Sequence, residues 1–197
     1  MDKTCKVVDT FDIMIVGVGG QGTLLASRLL GEVMMSMDYD VKVSEVHGMS
    51  QRGGSVVTYV RAGEKVASPI IEKGESDLIL AFEKLEAARW LPYLKPNGKL
   101  IINTQEIDPM PVITGAAKYP GNIIDDIKAA GANVITVDAL PLAVEAGTAK
   151  ATNVVLIGVM AKAMGIPKEI WLNAVKDTVP QKFLEMNLKA FELGYAQ

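Results

Sequence analysis

The sequence predicts an α/β protein: a three-layer α/β/α arrangement with a mostly parallel, mixed sheet, a Rossmann-like start and a helical C-terminal third. Three observations carry this expectation. The apolar run Asp12 to Val18 ends in a glycine-rich turn that leads into an amphipathic helical pattern. Short apolar runs then recur between helical patterns as far as Val137, and beyond it only helical spacing remains. Continuous apolar runs of this kind mark strands covered on both faces.

The elements follow in order. Residues 12 to 18 form a first buried strand, and residues 23 to 37 place Ala26, Leu29, Leu30, Val33 and Met37 on one helical face. Val41 to Val46 returns as a strand, so residues 12 to 46 read as a β-loop-α-β unit with parallel strands and a right-handed crossover. Ser55 to Arg61 alternates as a strand, Ala62-Gly63-Glu64 turns, and Val66 to Ile71 extends again, which predicts a hairpin over 55 to 71. Asp77 to Phe82 is a further strand, and residues 83 to 91 suit a helix with Leu85, Ala88 and Leu91 inward. Asn97-Gly98 is a turn before a strand at Lys99 to Asn103, and a proline-bearing irregular stretch follows. Asn122 to Ala130 is helical and closes at Gly131, and Asn133 to Val137 is the last strand. Helices are expected at 139 to 146, 153 to 164 (apolar almost all round and so buried), 168 to 177 behind Pro167, and 181 to 194 with Phe183, Met186, Ala190 and Phe191 on one face.

At 197 residues, of which 49% are hydrophobic, the chain suits a single domain spanning 1 to 197 and excludes intrinsic disorder. Lys and Arg number 20 against 23 acidic residues, a net charge of −3, which argues against nucleic acid as a partner. One cysteine, Cys5, makes no internal disulfide and cannot ligate zinc or an iron–sulfur cluster, which points to a reducing, cytoplasmic setting. The N-terminal residues lack the basic-then-apolar order of a signal peptide, and no apolar run approaches membrane-spanning length. Ten methionines suggest an adaptable core or a surface that packs on something else, with Met49, Met110, Met160 and Met186 as surface candidates.

Two segments could carry binding. Gly17-Val18-Gly19-Gly20-Gln21-Gly22 has the Gly-x-Gly-x-x-Gly spacing between a strand and a helix, where backbone amides and a helix start can face an anion. Glu45, ending the second strand, stands where an acidic residue could meet a ribose hydroxyl. Alternatively, the glycines only permit close packing of strand and helix. The second segment, His47-Gly48-Met49-Ser50-Gln51-Arg52-Gly53-Gly54, holds the one histidine and an arginine in a strand-to-strand connection. His47 could act as a general acid or base and Arg52 as a carboxylate clamp, or both could simply satisfy the turn. No serine elbow, phosphate loop or assignable triad is present, and no catalytic residue is assigned.

The run Ile13 to Gly22, the loop Glu45 to Gly54 and Asp77-Leu78-Ile79-Leu80-Ala81-Phe82-Glu83 together resemble the gamma-type domain of 2-oxoacid:ferredoxin oxidoreductases. The likeness continues through Val137-Asp138-Ala139 and Asn153 to Gly158 to Pro180-Gln181-Lys182-Phe183, and so covers essentially the whole chain. The His-Gly-Met-Ser-Gln-Arg-Gly-Gly form of the loop looks most like the small beta subunits of the indolepyruvate branch, while pyruvate-type gamma subunits share mainly the Arg-Gly-Gly. The resemblance implies a subunit of a complex that oxidatively decarboxylates an aryl pyruvate, joins the acyl group to coenzyme A and reduces ferredoxin. It implies no cofactor in this chain, thiamine diphosphate and 4Fe–4S clusters in a large alpha subunit, and coenzyme A as a possible neighbour of the two loops. The alternatives are a gamma subunit for pyruvate or another 2-oxoacid, a self-sufficient NAD- or FAD-binding oxidoreductase, and a stand-alone binding module.

Overall fold

In the computed structural model, residues 10–45, 50 and 52–197 are described. Six strands form one sheet: β1 (Phe11–Val18), β2 (Asp40–Glu45), β3 (Ser55–Gly63), β4 (Ser76–Ala81), β5 (Leu94–Asn103) and β6 (Asn133–Val137). Their order is β2-β3-β1-β4-β5-β6. The right half, β1 with β4, β5 and β6, is parallel, and β3 runs antiparallel to both β1 and β2. The sheet is thus mixed, as the sequence predicts. The helices are α1 (Thr23–Ser36), α2 (Lys84–Trp90), α3 (Met110–Ile113), α4 (Ile123–Ala129), α5 (Ala139–Ala146), α6 (Thr152–Met164), α7 (Lys168–Thr178) and α8 (Leu184–Tyr195).

Side-chain alternation along the strands splits the core into the two halves expected of three layers. Ile13, Ile15, Leu78 and Leu80 meet α1 and α5–α8 on one face, while Met14, Val16, Ile79, Ala81, Leu100 and Ile102 meet α2 and α4 on the other. α6 is apolar all round because the sheet lies under it and α8 over it. Two glycines allow that stacking: a Cβ on Gly158 would lie 2.2 Å from the Phe191 carbonyl oxygen, and one on Gly194 would lie 2.0 Å from that of Val155. Gly31 is the third helical glycine and differs from these two. In mid-α1, where glycine costs roughly 0.5–1 kcal/mol relative to alanine, a Cβ would meet nothing within 4 Å.

Several local expectations are corrected. The hairpin is β2–β3, with Glu45 opposite Thr58, and not the 55 to 71 segment. Residues 66 to 71 form no strand because side chains take their backbone groups: Val66 N–H donates to Asp40 Oδ2 (2.9 Å) and the Ile70 carbonyl accepts from Arg61 Nη1 (2.8 Å). Val66 and Ile71 are nonetheless buried, which accounts for their apolar pattern. β1 and β2 point the same way but are not neighbours, since β3 lies between them. Asn97-Gly98 is no turn between elements; Asn97 (φ 67°) sits within β5, where the ladder shifts register against β4. In α2 the fully buried pair is Glu86 and Ala87, with Leu85, Ala88 and Leu91 partly covered. Of the surface methionines proposed, Met110 is exposed, Met160 is fully buried, Met186 packs under Gly147, and Met49 lies outside the described residues. Phe183 is exposed and does not join the core face of the last helix.

At the end of the sheet away from the glycine turn, Arg61 grips Asp12 with two hydrogen bonds of 2.9 and 3.0 Å. The two residues are cross-strand partners in the β1–β3 ladder, so this bidentate pair, with Asp12 buried and Arg61 partly so, holds the register that brings β3 back beside β1.

Candidate functional site

β1 ends at Val18, and the chain turns through Gly19-Gly20-Gln21-Gly22 into α1. Two glycines are required here for different reasons. Gly22 is the N-cap in the left-handed region (φ 84°), and a Cβ on it would fall 2.6 Å from Asn153 Nδ2. Gly17 is followed so closely by β4 that a Cβ would lie 2.9 Å from Phe82 Cβ and 2.8 Å from Gln21 Oε1. Gly20 has φ 101° and faces open space, so its freedom shapes the turn and leaves its backbone uncovered.

Gln21 turns inward. Its Oε1 accepts from Val18 N–H (2.7 Å), and its Nε2 donates to the Phe82 carbonyl (3.0 Å) and to Gln105 Oε1 (3.2 Å). One side chain therefore ties together the ends of β1, β4 and β5. Asn103, fully buried, donates to the same Phe82 carbonyl (3.0 Å) and accepts from Ala139 N–H (3.2 Å), which fixes the start of α5. From α6, Asn153 Nδ2 donates to the Gly22 carbonyl (3.3 Å), linking the third helical layer to the turn. These amide side chains build a rigid frame at the carboxyl ends of the parallel strands.

The second segment joins the first. Gly19 N–H donates to the Gly54 carbonyl (2.9 Å), and Gly54 N–H donates to that of Ser50 (2.9 Å). Gly53 has φ 94°, and a Cβ on Gly54 would meet Ser50 Cα at 2.9 Å, so the Gly53-Gly54 pair is what lets the loop close. Arg52 is exposed. His47, Gly48, Met49 and Gln51 lie outside the described residues. Just beyond the loop, the Ser55 hydroxyl donates to Glu86, a buried carboxyl that also accepts from Arg89 (3.1 Å) and Trp90 Nε1 (3.2 Å). Glu83, equally buried, caps α2 at Glu86 N–H (2.9 Å) and accepts from Ile107 N–H and the Tyr119 hydroxyl. Burial first, then the bond to Glu83, holds the Tyr119 phenol protonated far above its usual range.

Around this frame lie two adjoining hollows that share Gly20 and Gly22. The larger, about 470 Å³, is lined by the turn together with Phe82, Gln105, Leu140, Lys150, Thr152 and Asn153. The smaller, about 280 Å³, runs from the turn to Leu24, Glu45 and Thr58. They sit where the chain departs leftward from β1 and rightward from β4, the position at which open α/β sheets receive ligands. Glu45, on the wall of the smaller hollow, accepts from Ser27 Oγ (2.7 Å). Among the described residues Lys150 is the one cation on the larger hollow's wall, and the rest of its polar lining is amides and a hydroxyl. Such a surface can bind and orient an anionic or polar group. Among the described residues no cluster of three or more potential ligands could hold a metal ion. Sequence reasoning found Gln21 through the glycine motif but missed Gln105, Lys150 and Asn153, which come from elements far along the chain.

The pyruvate ferredoxin/flavodoxin oxidoreductase family model matches residues 12–197. The chain belongs to this family. It is 44% identical over 191 residues to the indolepyruvate oxidoreductase subunit IorB of Thermococcus kodakarensis, covering 93% of this chain and 94% of that one. The IorB of Archaeoglobus fulgidus is 40% identical, covering 94% of each chain. The pyruvate/ketoisovalerate oxidoreductases common subunit gamma of Pyrococcus abyssi is 28% identical, covering 91% of this chain and 92% of its own. Among solved structures, the gamma subunit of a keto/oxoacid ferredoxin oxidoreductase from Geobacter sulfurreducens shares the fold with a TM-score of 0.70 at 24% identity, covering 94% of this chain and 96% of that one. In the 2-oxoglutarate:ferredoxin oxidoreductase of Magnetococcus marinus the matching region is 30% of a longer chain (TM-score 0.72, 18% identity, 95% of this chain). No helix among the described residues is long and apolar enough to cross a membrane.

Proposed function

We propose that this chain is the small, cofactor-free subunit of an indolepyruvate-type oxidoreductase, part of a cytoplasmic complex that decarboxylates aryl pyruvates with coenzyme A and ferredoxin. Identity of 38–44% to four subunits named IorB, against 26–28% to the common gamma subunits, is the observation that carries the reading. Thiamine diphosphate and iron–sulfur clusters belong to the larger partner, because the chain's one cysteine cannot hold a cluster. The described lining of the hollow at the glycine turn, amides and one lysine among its polar groups, suits binding and orientation and so supports this division of labour. In this reading the two glycine-bearing loops, joined through Gly19 and Gly54, form the face that meets the partner and its substrates. Arg52, exposed on the second loop, supplies a guanidinium for a carboxylate on the partner or substrate.

The test is reconstitution. The chain alone is expected to be inactive towards indolepyruvate with ferredoxin and to bind neither NAD, NADP nor FAD. Combined with the large subunit, it should restore turnover with aryl pyruvates in preference to pyruvate. Micromolar binding of a dinucleotide by the chain alone would favour a self-sufficient oxidoreductase.

A further inference from the structure

A groove of about 700 Å³ runs along the outer side of α1 and reaches Glu45, which also lines the smaller hollow at the glycine turn. β2, the outermost strand on that side of the sheet, forms one wall, and the end of α7, at Asp177 and Thr178, forms the other. Gly31 lies in its floor. Elsewhere in this protein a helical glycine means a backbone pressed against it, as Gly158 and Gly194 show with approaches of 2.2 and 2.0 Å. At Gly31, itself buried, the same residue carries the same cost to the helix, yet a Cβ would meet nothing within 4 Å among the described residues. The neighbour that would account for it is absent from the described residues.

The groove also shows what that neighbour carries. Met35 and Val43 are 51% and 43% exposed beside Gly31, an apolar strip that calls for an aliphatic contact. Among the described residues the charged lining is one cation, Arg28, against the carboxylates of Glu32, Glu45 and Asp177, which favours a positive group. Glu32 and Asp177 make no ion pair among the described residues. A second copy of this chain fits poorly, because two concave, net-negative grooves facing each other would repel and enclose a void.

We propose that the groove seats a protruding segment of the larger partner subunit. That segment presses its backbone on α1 at Gly31, sets an aliphatic side chain between Met35 and Val43, and places a lysine or arginine opposite Glu32 and Asp177. The inference rests on the reading of the chain as a subunit. It extends the contact surface from the glycine turn along α1 to Asp177 and Thr178.

The experiment measures the affinity of this chain for the purified large subunit and the melting temperature of the chain alone. Gly31→Ala should raise the melting temperature of the isolated chain by roughly 2–4 °C through helix propensity. The same change should weaken the complex about fivefold, and Gly31→Leu about a hundredfold, through overpacking. Glu32→Lys should lower the affinity and flatten its salt dependence. Stabilisation of the part together with weakening of the whole is a pair of signs that a purely internal role cannot give. Wild-type affinity in both Gly31 variants overturns the groove proposal, as does a dimer of this chain alone that Gly31→Leu dissolves. If the wild-type chain does not bind the large subunit at all, the functional reading itself fails, an outcome seen before any variant is made.

Discussion

Gly22 carries two constraints at one position, a left-handed backbone and the amide of Asn153 only 2.6 Å from where a Cβ would sit. Gly22→Ala should therefore destabilise the chain by about 1–2 kcal/mol from the backbone alone, and by more if Asn153 must move; chemical denaturation measures the loss. Arg52→Ala should behave in the opposite way. Arg52 is exposed, so stability should stay within about 0.5 kcal/mol of wild type, while turnover of the assembled complex falls. Tyr119 gives a pH-dependent prediction. Its folded pKa is raised, chiefly by burial and next by the bond to Glu83, so the folded state retains a proton that the unfolded chain loses near pH 10. The stabilisation is complete below about pH 10 and declines as pH climbs past that value. Tyrosinate absorbance should show one phenol that ionises only on unfolding, and Tyr119→Phe should remove that signature and cost about 1.5–3 kcal/mol for the lost bond to a buried carboxyl.

Local pattern sufficed for elements whose periodicity and punctuation agree. α5, α6, α7 and β6 fall within a residue of where Pro167, Gly131 and the apolar spacing put them. It failed where pairing is decided at a distance. The β2–β3 hairpin spans a long connection, and nothing in residues 40 to 45 announces that an antiparallel partner begins at Ser55. Val66 to Ile71 imitates a strand because both ends are buried, yet Asp40 and Arg61, remote in sequence, take its backbone groups. The site was legible to the same extent. The glycine turn and the Arg52-Gly53-Gly54 loop stood out as motifs, whereas Gln105 and Asn153 reach the turn only through tertiary packing. Asn153 did leave a trace, as a polar residue opening an otherwise apolar helix whose burial demands a partner for its amide. At this scale Gly158→Ala tests the layering: the 2.2 Å clash with the Phe191 carbonyl should separate α6 from α8 and cost at least about 1–3 kcal/mol, seen as a lowered melting temperature.

The whole molecule reads as a rigid platform. Its sheet is covered on both faces, and its switch-point hollow is braced by Gln21, Asn103 and Asn153. Family membership over residues 12–197 and the relatedness to oxidoreductase subunits give that platform its setting. The account accordingly makes the chain indispensable to a complex and inert without it. The most direct measurement is ferredoxin reduction by indolepyruvate and coenzyme A, with the purified chain alone, the large subunit alone, and the two combined. The account predicts turnover only in the mixture, reaching its maximum at a fixed stoichiometry. Turnover by the isolated chain, or full activity of the large subunit without it, would contradict it.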